Sequence, residues 1–61
     1  MTFEDVQNSV NQWLWNKDEQ TYFWILNAEP ETKIIEAKGL GGLKTKFFFS
    51  SERFFKHTQK I

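Results

Sequence analysis

Cysteine is absent from this chain of 61 residues. That excludes disulfide staples, a common reinforcement of very short chains, and it excludes thiolate zinc sites. Histidine occurs once, at His57, and one imidazole cannot build a metal site without carboxylate help. Long apolar runs are missing too. The longest, Tyr22 to Leu26, falls far short of the ~20 residues that span a bilayer. The first residues, Met1-Thr2-Phe3-Glu4-Asp5, carry acids where a secretory signal carries bases. The expectation is a single soluble domain over residues 1–61, cytoplasmic and without a membrane partner.

What is abundant is aromatic surface. Seven Phe, three Trp and one Tyr make 18% of the chain. A domain this short buries only about 60% of the surface its unfolded form exposes. Each aromatic side chain brings roughly 150–250 Å² to be covered. A core of this size does not enclose eleven such groups, so some of them are expected to lie in an interface. The partner is either another protein or a second copy of the chain in a homodimer.

Formal charge sums to zero but is split along the chain. Residues 1–36 hold seven acids against Lys17 and Lys33, whereas residues 37–61 hold six cations against Glu52. The halves either neutralise each other within the fold or present poles to partners of opposite sign.

The element pattern predicts an α+β fold: an N-terminal helix packed on a three-stranded antiparallel meander, then a short C-terminal helix. A fourth strand is the alternative for the last segment. Thr2 and Asp5 form a capping box, and Phe3, Val6, Val10, Trp13 and Leu14 recur at helical spacing, which predicts a helix over 2–16 with Trp13 in the core. Trp15 lies off that stripe, folded back beyond the helix end or exposed as an anchor. Residues 20–27 read as a strand, with Tyr22, Trp24 and Leu26 on one face and Phe23 and Ile25 on the other. Both faces are apolar, so the second needs a further cover. Pro30 marks a loop, 33–38 a second strand, Gly39-Leu40-Gly41-Gly42 a turn, and 43–49 a third strand. Ser50 or Ser51 would cap the final helix.

Catalytic constellations are weak. Nucleophilic catalysis needs a base beside its nucleophile, and His57 stands alone in a basic stretch where solvation explains it. The carboxylate pairs Glu4-Asp5, Asp18-Glu19 and Glu29/Glu31 fall in a helix start and in loops. The Gly-rich turn before Lys44-Thr45 has the wrong spacing for a phosphate loop and precedes a strand. No enzyme activity, cofactor, metal or small-molecule substrate is expected.

The expected function is a small protein-interaction module, an adaptor, subunit or inhibitor that docks on a larger protein. Trp15, Trp24 and Phe48 are the anchors, because binding energy concentrates in buried aromatic groups. Lys44, Lys46, Arg53 and Lys56 would steer the chain toward an acidic surface. The alternative is nucleic-acid binding, with Lys44 and Lys46 on phosphates and a base stacked on Phe48. The stretch lacks the basic-Gly-aromatic pattern of ribonucleoprotein motifs, and the domain lacks net positive charge.

Overall fold

The computed structural model describes residues 1–49 and 52–61, with Glu52 and Arg53 described by their backbone alone. The first helix, α1 (Phe3–Gln7), starts on the predicted capping box. The Thr2 hydroxyl accepts from the Asp5 N–H at 3.1 Å, and the Asp5 carboxylate accepts from the Thr2 N–H at 2.9 Å. The Thr2 N–H, then its hydroxyl, hold the Asp5 carboxyl below the ordinary carboxylate range.

The helix does not run to residue 16. Ser9 turns its hydroxyl back onto the Asp5 carbonyl at 2.8 Å, and Asn11 adopts a left-handed φ of 65°. Short polar side chains of this kind compete with the helical ladder by bonding locally. Val10 then makes a parallel bridge to Ile25, and the chain enters a strand, β1 (Trp13–Asn16). Leu14 and Asn16 are buried, whereas Trp13 and Trp15 face the other way. The helical spacing of Val10 and Leu14 was real, since both reach the core, but the segment between them is not helical.

Strand β2 (Thr21–Ala28) pairs with β1 in antiparallel register, Trp13 opposite Trp24 and Trp15 opposite Tyr22. Next come β3 (Ile34–Gly39) and β4 (Lys44–Phe48), as the meander reading had it, with an irregularity in the β2–β3 register between Ile25 and Asn27. The final segment resolves as both alternatives in series. A short helix α2 (Glu52–Lys56) leads into β5 (Thr58–Lys60), which pairs with β1. The predicted cap at Ser50 or Ser51 lies outside the described residues. Among the described residues the sheet therefore has five antiparallel strands in the order β4-β3-β2-β1-β5, two more than the meander alone.

Both helices contribute to a core on the same side of this sheet. Val6 of α1 and Phe55 of α2 are fully buried with Leu14, Ile25 and Ile35. Phe55 is the hub: its ring lies 4.8 Å from Phe49, 5.0 Å from Phe54 and 5.9 Å from Phe47. A buried polar latch closes the C-terminal end. Asn16 Nδ2 donates to the Phe54 carbonyl at 2.9 Å and to the Thr58 hydroxyl at 3.0 Å, while its Oδ1 accepts from the Glu19 N–H at 2.7 Å. That one side chain joins β1, the connector after it, α2 and β5. It satisfies donors and acceptors that would otherwise be costly to bury.

Candidate functional site on the open sheet face

The side of the sheet away from the core carries a second set of large side chains. Its position follows from the register. Directly opposed residues of an antiparallel sheet share a face, so one row runs Trp13, Trp24, Lys38, Lys44 across four strands. A second row sets Trp15 against Tyr22. Glu36 opposes Lys46, and Ile34 opposes Phe48.

The rings pair across strands. Trp13 and Trp24 meet edge to face at 5.4 Å, and Trp15 and Tyr22 lie tilted at 4.7 Å. Each pair covers part of its own surface, which leaves Trp15 and Trp24 half-buried. Trp13, Tyr22 and Phe48 remain 37%, 40% and 64% exposed. The second face of β2 was expected to need another helix or another molecule over it, and the first of these is not found among the described residues. Instead, both helices pack on the core side, and among the described residues no element covers this face.

The lysines occupy the other end of the same surface. Lys46 Nζ stands 3.8 Å from Glu36 at the limit of an ion pair, with the lysine largely exposed and the carboxylate partly so, and the pair is of small energetic weight. Lys38 and Lys44 face each other across β3 and β4 with no ion-pair partner among the described residues. The two charge halves of the chain do touch, through Lys46–Glu36 and through His57, whose Nε2 lies 3.8 Å from Asp18. His57 is half-buried rather than fully solvated.

Five of the seven residues singled out from the sequence, Trp15, Trp24, Lys44, Lys46 and Phe48, converge on this face. Lys56 does not. It sits on α2 beside Met1, Phe3 and Phe49, on the core side of the sheet. The Arg53 side chain lies outside the described residues. Three members were missed: Trp13, assigned to the core, and Tyr22 and Lys38. The signal for Trp13 was its alternation with Trp15, matched by Tyr22 and Trp24, which is a strand period rather than a helical one.

An apolar cleft of about 650 Å³ opens at the β4 end of the sheet, lined largely by core-side residues such as Phe23, Ala37, Thr45, Phe47 and Phe54, with Tyr22 and Phe48 of the open face also in its lining. Among the described residues no cluster of three or more His, Asp or Glu could hold a metal ion, and no helix is long and apolar enough to cross a membrane. Comparison with protein-family models, with curated proteins and with solved structures finds no match to this chain.

Proposed function

We propose that this chain is a non-catalytic interaction module that docks on a larger protein through the open face of its sheet. One observation carries the reading: all four Trp and Tyr residues lie on the uncovered face, while six of the seven Phe line the covered one. Trp and Tyr join a large apolar body to a polar N–H or O–H, so they suit a surface that is wet in one state and buried in another. They are also the residues in which binding energy concentrates. Trp24, near the middle of the face, is the central anchor, with Trp13, Trp15 and Tyr22 around it. Lys38, Lys44 and Lys46 supply a basic margin that favours an acidic partner surface and speeds encounter with it.

Single-stranded nucleic acid is the second reading, favoured by the row in which Lys38 and Lys44 continue from Trp24. Rings beside ammonium groups on a sheet can stack bases and hold phosphates. The protein reading is preferred because the Trp13–Trp24 and Trp15–Tyr22 rings are already engaged with each other.

A photo-crosslinking side chain placed at Tyr22, with Lys56 on the other side as control, tests this in the cells that make the protein. The expected result is a protein adduct of defined mass from Tyr22 alone, lost when Trp24→Ala is added. Equal adducts from both positions would contradict it. So would submicromolar binding of a single-stranded oligonucleotide with a steep salt dependence.

A further inference from the structure

We propose that the free edge of β4 accepts an extended segment of the partner as an added strand, and that this segment alternates acidic with apolar residues. The inference rests on the protein-partner reading and shares Lys44 and Lys46 with it, but uses the backbone edge of β4 in place of the Trp and Tyr rings, so the two can fail separately.

Among the described residues strand β4 is the outermost on its side of the sheet. Its ladder to β3 is bracketed by two backbone bonds, from the Gly39 N–H to the Leu43 carbonyl at 3.1 Å and from the Phe49 N–H to the Lys33 carbonyl at 2.7 Å. Hydrogen-bonded residues alternate along an antiparallel strand. Leu43, Thr45, Phe47 and Phe49 are therefore the set whose peptide groups serve β3. Lys44, Lys46 and Phe48 turn their N–H and C=O groups outward, where an incoming strand would take them up.

The side chains along this edge specify what such a strand would carry. On the open face stand Lys44 and Lys46, neither of them buried. On the opposite side Thr45 and Phe47 form part of the wall of the 650 Å³ apolar cleft. An added strand would set alternate side chains beside two ammonium groups and over an apolar hollow, because successive residues point to opposite faces. Charge complementarity makes the first set carboxylates, and the cleft makes the second set apolar. A second copy of the chain fits poorly. Two β4 edges side by side would crowd four lysines onto one short stretch, the arrangement by which edge strands resist pairing with themselves. The device that repels a copy attracts an acidic segment.

The test uses isotopically labelled chain and a blocked peptide of alternating Glu and Val, with a Lys and Val peptide of equal length as control. The Glu peptide is expected to shift the amides of Lys44, Lys46 and Phe48 and slow their exchange, with little change at the Trp indoles. Lys46→Pro removes an outward N–H that β3 does not use and is expected to weaken binding at least about tenfold. Should that variant not fold, Lys44→Glu with Lys46→Glu alters only exposed side chains and is expected to weaken binding by a similar factor. Absence of β4 shifts at millimolar peptide, or equal binding of the Lys peptide, would overturn the proposal. Shifts confined to the indoles would overturn it while leaving the open-face reading intact. The expected β4 response with no adduct from Tyr22 would do the reverse.

Discussion

The two faces of the sheet are both aromatic, yet they are built from different aromatics. Toward the helices lie Phe23, Phe47, Phe49, Phe54 and Phe55, with Phe3 on α1, in ring contacts from 4.8 to 6.4 Å. Away from them lie Trp13, Trp15, Tyr22 and Trp24, followed by lysines. Phe has nothing to hydrogen-bond and loses nothing when dried. An indole or a phenol buried without a partner would leave a polar group unsatisfied. The difference separates the ring surface that holds the fold together from the ring surface available to something else.

Breaking the covered face should have the largest effect. Phe55→Ala removes the hub ring and is expected to destabilise by about 3–5 kcal/mol, close to all the stability a domain this small possesses. Chemical denaturation should find it unfolded or nearly so. Trp13→Ala removes a comparably large side chain from the open face and should forfeit only a cross-strand pair and partial burial, about 1 kcal/mol. If the two variants lose the same stability, the distinction between the faces collapses.

The next effect belongs to the latch. Asn16→Ala takes away the acceptor of the Glu19 N–H and the donor shared by the Phe54 carbonyl and the Thr58 hydroxyl, which keep the 2.9 Å bond between themselves. It is expected to lose about 2–3 kcal/mol, read by equilibrium unfolding. In this variant native-state hydrogen exchange should show β5 opening before β2 or β3, since only the short β1–β5 ladder and the bond from the Lys17 N–H to the His57 carbonyl then hold it to the sheet among the described contacts.

Much of the fold was legible where local chemistry and period agreed. The strands at 21–28, 34–39 and 44–48 fall within one or two residues of their sequence reading because Pro30 and Gly39–Gly42 punctuate dense alternating segments. The helix over 2–16 was overextended because Val10 and Leu14 satisfy a helical spacing while belonging to a bend and a strand. Misreading β1 also left β5 as an alternative to the final helix, because this three-residue strand takes its place by pairing with β1. The site was legible in part for the same reason. Lys44, Lys46 and Phe48 share a face under any strand reading, whereas Trp13 joins Trp24 only once β1 is a strand.

The smallest expected effects sharpen the anchoring of α1 to the covered face. Thr2→Ala should cost about 1 kcal/mol through the lost cap, read as a lower denaturation midpoint. Because the Asp5 carboxyl is held below its ordinary range, its share of stability is present above that range and disappears as pH falls through the lowered value. The stability gap between the natural chain and Asp5→Asn should therefore narrow in acid and stay constant near neutrality. A gap that widened in acid would contradict the capping geometry.

The claim on which the account turns is that the Trp/Tyr face is kept for a different molecule. Sedimentation equilibrium of the isolated chain addresses it most directly. The account predicts a monomer of 7.3 kDa throughout the micromolar range, with its tryptophans open to a soluble quencher. A stable dimer that Trp24→Glu dissociates would contradict it, because the face would then be covered by the chain's own copy.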